Sequence, residues 1–266
     1  MNESVNRAFL YGESVFTTMR LENGKIRDWE YHFERLKKGT EYLYGPFVDG
    51  EDWATHLRDR LETRLATETG NQILRLTLYR EKERGLHPTH LMSVMELRVH
   101  LGATPFEPER WQGKDLKLRT LEVPPRPHWW PEYLKCGSYL ETILAQKKFL
   151  RAQDDDLLFI SSRGTVLESS VANVFVCRHD RLYTAPTGPR VLDGIMRRRV
   201  LEKAAPSFAC VEEDETTLTE LFKADGVFGT NSVRGLFLIS RIDDHEITPS
   251  EDFLARYEKL KRDLNL

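Results

Sequence analysis

Apolar and polar residues alternate on both sides of an Asn-Gly pair near the start of the chain. Residues 14–26 read SVFTTMRLENGKI, which is two stretches of β-forming side chains joined at Asn23-Gly24. Asn-Gly between such stretches is a strong hairpin signal because both residues tolerate positive φ. The sequence therefore predicts a β-hairpin in this region.

Helical and strand periodicities follow the hairpin in turn. Apolar residues spaced three and four positions apart predict helices at residues 29–44 and 52–65. Alternating apolar residues then predict strands at residues 72–79 and 91–101. Together these segments indicate a smaller N-terminal α/β domain.

A stretch rich in proline and glycine interrupts both periodicities. Residues 102–113 read GATPFEPERWQG, and such a composition is typical of loops between ordered segments. We expect residues 103–113 to link the smaller domain, residues 1–102, to a larger one, residues 114–266.

The second half of the chain mixes helical and strand patterns. Helical spacing predicts helices at residues 139–152 and 195–205, and Thr217 with Glu220 resembles a capping box that opens another helix. Short apolar runs before, between and after these helices predict strands. Because strands and helices intermingle in both halves, we predict an α+β fold in two domains.

Composition narrows the class of protein. The chain has 266 residues, 40% of them hydrophobic, which is enough for a sizeable core, and a formal net charge of −3 that favours neither nucleic acid nor an anionic membrane. Cys136, Cys177 and Cys210 are too scattered for a disulfide framework or a zinc site. We therefore expect a cytoplasmic protein without a metal and without a nucleic-acid or membrane partner.

One lysine stands out in the segment YLKCGSYLETILA, residues 133–145. Lys135 follows apolar residues and precedes a run of helix formers. The commoner interpretation is a side chain that lays its stem on apolar surface and keeps its ammonium in water. The alternative is a desolvated amine that can form a Schiff base with a carbonyl compound. The local sequence leaves both interpretations open.

A carboxylate and three anion-binding candidates could accompany this lysine. Glu168 lies between two apolar runs in TVLESSVANVFV, where a buried carboxylate needs a protonated partner such as a pyridine nitrogen. VLDGIMRRR, residues 191–199, places a glycine before a helix, and FGTNSVRG, residues 228–235, is a polar turn. Both suit a phosphate, and Arg35 could clamp the same anion. Taken singly, each is an ordinary cap, turn or surface arginine.

Seven segments taken in order resemble the class IV aminotransferases, which are pyridoxal-phosphate enzymes of fold type IV. The segments are YGESVFTTMRLENGKI, HFERL, LKCGSYLETILA, TVLESSVANVFV, LYTAP, VLDGIMR and FGTNSVRGLF, spread from about Arg7 to Phe237. The resemblance implies the two-domain α+β fold of type IV, pyridoxal 5'-phosphate as cofactor, a small-molecule amine as substrate, and a homodimer.

The resemblance also implies roles for individual residues. Lys135 matches the catalytic lysine that bonds covalently to the cofactor and moves protons, and Glu168 matches the carboxylate at the pyridine nitrogen. Asn173, in the A-N-x-F segment, is expected to support that carboxylate. The remaining cofactor-binding matches are Leu192 against the ring and, at the phosphate, Arg35, Gly194, Ile195, Thr230 and Asn231.

Two details resemble the lyase branch of the family, whose members convert 4-amino-4-deoxychorismate to 4-aminobenzoate and pyruvate in folate synthesis. They are the Phe16-Thr17 pair in VFTT and the turn TNSVRG. The substrate-binding residues implied by this branch are Phe16, Thr17, Arg84 and Arg234. Two alternatives stay open: an aminotransferase for D- or branched-chain amino acids, and a non-catalytic relative that serves as a binding module.

Overall fold

The computed structural model describes residues 6–22, 24–45, 53–65, 70–80, 97–107 and 114–266. The chain divides into two compact units. Unit 1 comprises Met1–Glu107 and Tyr133–Leu140, and unit 2 comprises Pro108–Glu132 and Glu141–Leu266.

Unit 1 is built on an antiparallel four-stranded sheet in the order β2-β1-β3-β4. Alternate residues of β1, namely Val15, Met19 and Leu21, are buried in a core that includes Leu36 of helix α2. The elements of this unit are α1 (Arg7–Tyr11), β1 (Ser14–Glu22), β2 (Lys25–Ile26), α2 (Trp29–Tyr44), α3 (Trp53–Leu65), β3 (Gln72–Arg80) and β4 (Leu97–Pro105).

The structure confirms most of the elements that local sequence patterns predict for unit 1. The predicted hairpin forms between β1 and β2, with Leu21 opposite Ile26 and Gly24 at φ 75°; Asn23 lies outside the described residues. Helix α2 has the predicted bounds, and α3 begins one residue after the predicted start. Of the predicted strand 91–101, residues 91–96 lie outside the described residues. The short helix α1 was not predicted.

The structure corrects the predicted domain boundaries in two places. Residues 103–105 belong to β4, where Pro105 lies opposite Gln72 of β3, so the predicted linker 103–113 begins inside a strand; residues 108–113 lie outside the described residues. Tyr133–Leu140, expected in the larger domain, belongs to unit 1. The physical reason is backbone pairing, since Cys136 bridges Val15 of β1 in an antiparallel fashion.

Unit 2 contains a nine-stranded sheet in the order β10-β9-β8-β11-β12-β5-β6-β7, with β13 on β12. An additional pairing of β7 with β8 joins the sheet back on itself. The elements are β5 (Leu116–Glu122), α4 (Leu140–Phe149), β6 (Asp156–Ile160), β7 (Val166–Ser169), β8 (Asn173–Arg178), β9 (Arg181–Thr184), α5 (Ile195–Lys203), β10 (Cys210–Glu213), α6 (Leu218–Leu221), β11 (Gly226–Asn231), β12 (Gly235–Ile242), β13 (His245–Glu246) and α7 (Glu251–Asp263).

Helix α5 packs with α7 over a core of aromatic side chains in unit 2. Phe175 of β8 and Phe228 of β11 stack with ring centroids 5.1 Å apart, and Tyr257 of α7 meets Phe228 edge-on. The capping box of Thr217 and Glu220 is confirmed at the start of α6. The ends of α4 and α5 fall short of the predicted helix ends by two or three residues, within the usual fraying of helix termini.

Both units mix helices and strands, so the predicted α+β class is confirmed. Within the residues that the structure describes, no helix combines the length and the apolar character needed to cross a membrane.

Candidate active site

Lys135 is held against strand β1 by its own backbone. Its carbonyl accepts a hydrogen bond from Phe16 N at 2.8 Å, and Gly137 N donates to Ser14 O at 3.0 Å. The side chain is half-buried, and its Nζ lies 3.2 Å from Tyr139 Oη and 5.0 Å from the centroid of the Phe16 ring. Among the described residues no carboxylate pairs with this amine. The lysine therefore points into aromatic surroundings that leave its amine available.

Small residues permit the close approach of this segment to β1. A Cβ built on Gly137 would lie 2.3 Å from Ser14 Oγ, closer than real contacts allow. Gly12 ends helix α1 with φ 69°, in the left-handed region that favours glycine. Glu13, which follows it, pairs with the buried Arg7. The Gly12-Glu13-Ser14 turn is thus fixed by these contacts beside the lysine segment.

A buried polar chain lies on the helix side of the same strand. Thr17 Oγ1 lies 2.6 Å from His32 Nδ1 and accepts a hydrogen bond from Arg35 Nη2 at 3.2 Å. All three side chains are at least 96% buried. Arg35 and Thr17, which were predicted at different parts of the site, are joined by a direct hydrogen bond, and His32, which no motif marked, contacts the same Thr17 hydroxyl. Thr17 faces away from Phe16, so a direct substrate contact by Thr17 remains only a prediction.

His32 gives the protein a predictable pH dependence. Burial, followed by the charges of Arg35 and Lys135, holds the pKa of His32 well below its ordinary 6.5. Below about pH 6.5 His32 takes up a proton in the unfolded chain but stays neutral in the folded chain, so acid favours the unfolded chain. The folded chain therefore has its full stability above that pH and loses stability below it. We expect the free energy of unfolding to fall by about 1.4 kcal/mol per pH unit from about pH 6.5 down to the folded pKa.

Urea unfolding of the protein at about pH 7.5 and 5.5 tests this expectation. The loss between the two pH values should shrink in His32→Asn and persist in His128→Asn, which changes a histidine on the surface. An equal loss in all three proteins would assign the pH dependence to other groups.

Three of the predicted residues of unit 2 are connected by sheet register. Glu168 of β7 lies opposite Asn173 of β8, which lies opposite Thr230 of β11. Residues opposite one another in neighbouring strands present their side chains on the same face. The pairing of β7 with β8, which closes the sheet, is therefore what aligns the carboxylate with the hydroxyl of Thr230.

Asn173 organises this part of unit 2. Its Nδ2 donates to Glu168 Oε2 at 3.0 Å and to Leu192 O at 2.9 Å, and Leu192 N donates to the same Glu168 oxygen at 2.9 Å. A Cβ built on Gly194 would lie 2.1 Å from Asn173 Oδ1. The sequence indicated only a supporting role for this residue, and the A-N-x-F segment was the one signal that marked it.

The start of α5 and the end of β11 offer donors that suit a phosphate. Gly194 caps α5 without any side-chain hydrogen bond, so the first N–H groups and the dipole of the helix face outward. Thr230 Oγ1 is buried and has no hydrogen-bond partner among the described residues. A buried hydroxyl without a hydrogen-bond partner costs stability, and an anion that accepts a hydrogen bond from it would remove that cost. The N–H of Gly194 itself donates to Leu192 O at 2.8 Å, so Ile195 N and the Thr230 hydroxyl are the donors that fit a phosphate group at this helix start.

Three other predicted residues have different surroundings. Asn231 Oδ1 accepts from the backbone N–H groups of Val233 and Arg234, so this side chain builds the turn. Arg234 Nη2 donates to Lys114 O at 2.8 Å, and its guanidinium lies over the Phe237 ring. Both side chains therefore have structural contacts, and their contacts with a ligand stay predictions. Arg84 lies outside the described residues.

We expect Gly194→Ala to weaken binding of a phosphate-bearing cofactor. The added methyl would push on Asn173, which is fixed by two hydrogen bonds, and overpacking of this kind costs about 1–3 kcal/mol. The dissociation constant of pyridoxal phosphate, measured by absorbance titration of the apoprotein, should rise roughly 10- to 100-fold.

Gly188→Ala is the matched control, because a Cβ there would meet nothing within 4 Å. It should bind the cofactor like the unmodified protein. Unchanged affinity in Gly194→Ala would contradict the assignment of this helix start to the phosphate.

Comparison with known proteins gives one family and a consistent set of relatives. A sequence model of the family described as amino-transferase class IV matches residues 14–242 of this chain. The aminodeoxychorismate lyase of Vibrio harveyi is 25% identical over 242 residues, which cover 91% of this chain and 87% of that protein. The D-alanine aminotransferase of Bacillus licheniformis is 24% identical over 246 residues, which cover 91% and 83%.

A solved structure agrees with the fold. The 4-amino-4-deoxychorismate lyase from Pseudomonas aeruginosa matches with a TM-score of 0.80 and covers 98% of this chain and 94% of its own, at 24% sequence identity. At that identity the likeness shows the fold alone, and it confirms the two-domain α+β fold that the motifs imply.

Proposed function

The chain belongs to the class IV aminotransferase family, whose members are pyridoxal-phosphate-dependent enzymes, and we propose that it is a lyase that converts 4-amino-4-deoxychorismate to 4-aminobenzoate and pyruvate. The similarity to the lyase of Vibrio harveyi over 91% of the chain is the observation that carries this proposal. The contacts of Lys135 with Phe16 and Tyr139 support it.

We propose that the residues marked by the motifs hold pyridoxal phosphate. Lys135 bonds to it covalently and Arg35 contributes positive charge toward its phosphate. Glu168 meets the pyridine nitrogen and Leu192 packs against the ring, while the phosphate binds at the start of α5, formed by Gly194 and Ile195, and to Thr230 and the turn that contains Asn231. The buried Thr230 hydroxyl, which has no partner among the residues that the structure describes, and the start of α5 support the phosphate assignment.

The proposed chemistry places proton transfer on one side chain. When bound, pyridoxal phosphate supplies an electron sink for the carbon that bears the substrate amine. Once the substrate amine has displaced Lys135 from the cofactor, the freed Lys135 Nζ would accept the proton of that carbon and later deliver a proton toward the departing pyruvate enol. Tyr139 Oη, 3.2 Å from Nζ, accepts a hydrogen bond from the ammonium form and so orients it. Glu168, held by Asn173 and Leu192 N, keeps its negative charge at a fixed position.

Product analysis separates this proposal from its main alternative. Purified holoenzyme should release 4-aminobenzoate and pyruvate in equal amounts from 4-amino-4-deoxychorismate, and it should transfer amino groups from D-alanine to 2-oxoglutarate slowly or not at all. The similarity to D-alanine aminotransferase favours that activity as the second candidate. Amino transfer without formation of 4-aminobenzoate would refute the lyase proposal, and a protein that binds no pyridoxal phosphate would refute both.

We also propose that the enzyme is a homodimer. Helix α4 has no buried residue and exposes four large apolar side chains, which supports a covering partner. These side chains are Leu140, Ile143, Leu144 and Phe149. Sedimentation equilibrium should give twice the 31.1 kDa mass of the chain; a monomer at all concentrations would contradict this.

A further inference from the structure

Arg75 occupies a conspicuous position near Lys135. On strand β3 it lies opposite Thr18 of β1, so its side chain shares a face of the sheet with Thr18 and, two residues earlier, Phe16. Its guanidinium carbon lies 3.6 Å from the centroid of the Phe16 ring. The amine of Lys135 lies 5.0 Å from the same centroid. Both cations therefore lie near the same buried ring, that of Phe16.

Arg75 has no anionic partner within the described part of the chain. Its side chain keeps exposed surface, while desolvation beside its neighbours lowers the pKa of the guanidinium. An arginine remains charged in this setting, so the site holds a positive charge that no carboxylate of the described chain neutralises. Stacking on Phe16 holds the guanidinium over the ring, and its N–H groups, which lie in the guanidinium plane, can donate to a ligand.

A second arginine on the same sheet face shows what a structural arginine looks like here. Arg20 of β1 also stacks on an aromatic ring, with its guanidinium carbon 4.1 Å from the Phe106 centroid. It forms an ion pair with Glu22, unlike Arg75. Arg20 and Arg75 thus both lie on a strand and stack on an aromatic ring. They differ in that Arg20 already has a carboxylate partner within the described residues.

The proposed substrate supplies such an anion. Its products, 4-aminobenzoate and pyruvate, each carry one carboxylate, so 4-amino-4-deoxychorismate carries two. The planar fork of arginine matches a carboxylate with two parallel hydrogen bonds. Of the arginines implied by the motifs for this task, Arg234 is engaged with Lys114 O and Phe237.

We propose that Arg75 binds the ring carboxylate of the substrate and thereby sets the position of the amine-bearing carbon relative to Lys135. This assignment rests on the proposed function for the identity of the substrate. Arg75 acts in binding and specificity, and it takes no part in proton transfer. Its loss should therefore raise KM more than it lowers kcat.

Ligand pairs that differ by one carboxylate test the assignment in the holoenzyme. Calorimetric titration with 4-aminobenzoate and with aniline is compared for the unmodified enzyme, Arg75→Leu, Arg75→Lys and Arg20→Leu. We expect Arg75→Leu to weaken binding of 4-aminobenzoate roughly 10- to 100-fold and to leave aniline unchanged, because a charge-assisted hydrogen-bonded pair is lost. Arg75→Lys should lie between, and Arg20→Leu should match the unmodified enzyme.

Equal affinity for 4-aminobenzoate in Arg75→Leu and the unmodified enzyme would overturn the assignment, as would an equal loss for aniline. Cofactor content and far-ultraviolet circular dichroism establish that each variant is folded and loaded. If the unmodified enzyme neither binds nor forms 4-aminobenzoate, the proposed function is wrong and D-alanine and ethylamine become the pair. If D-alanine then changed the cofactor absorbance in every protein except Arg75→Leu, carboxylate binding by Arg75 would be upheld. An unchanged rate of this absorbance change in Arg75→Leu would refute it.

Discussion

Lys135→Ala is expected to lower kcat by about 10⁴-fold, the upper end of what a general acid–base contributes, because the same amine also makes the covalent bond to the cofactor. The side chain is half-buried and has no ion pair within the described residues, so its removal should leave the fold intact. Steady-state assays of pyruvate release and circular dichroism measure the two effects separately.

Lys147→Ala is the matched control for this substitution. Lys147 is an exposed lysine on helix α4, a short distance further along the chain, and its removal should leave kcat unchanged. A Lys135→Ala enzyme that retains more than about a tenth of the activity would remove Lys135 from its assigned role.

Glu168→Gln is expected to lower kcat by about 10²- to 10³-fold, the range found when one fixed electrostatic contact is removed from an active site. Glutamine keeps the shape of the side chain and an oxygen that can accept from Leu192 N. It loses the negative charge that would hold a pyridine nitrogen protonated. Cofactor binding should therefore weaken much less than kcat.

The control for this experiment is Glu122→Gln, which changes an exposed glutamate at the end of β5. Its kcat should equal that of the unmodified enzyme. If Glu168→Gln were fully active, the charge on Glu168 would have no catalytic role, and its contacts with Asn173 and Leu192 would be structural only.

The features that the sequence predicted well are those that depend on near neighbours. Helix α2 follows from apolar spacing within residues 29–44, and the capping box at Thr217 needs only Glu220 three residues later. The membership of Tyr133–Leu140 in unit 1 could not be predicted in this way. It depends on the pairing of Cys136 with Val15, two residues far apart in the chain, and no periodicity encodes that pairing.

The same division holds for the candidate site. The order of the motifs predicts Lys135, Glu168 and the start of α5 as site residues because each residue type matches a chemical need. The contacts of Asn173 with Glu168 and Leu192 depend on sheet closure, and that of Arg234 with Lys114 depends on packing between distant segments. Arg75 carried no signal in the sequence, because a polar residue in an alternating strand is ordinary.

We expect pyridoxal phosphate to become covalently attached to Lys135. Reduction of the purified holoenzyme with borohydride, followed by proteolysis and mass spectrometric mapping, tests it most directly. The expected result is a single phosphopyridoxyl group on Lys135, in the peptide that contains YLKCGSYLETILA. A label on another lysine, or no label on a protein loaded with pyridoxal phosphate, would contradict it.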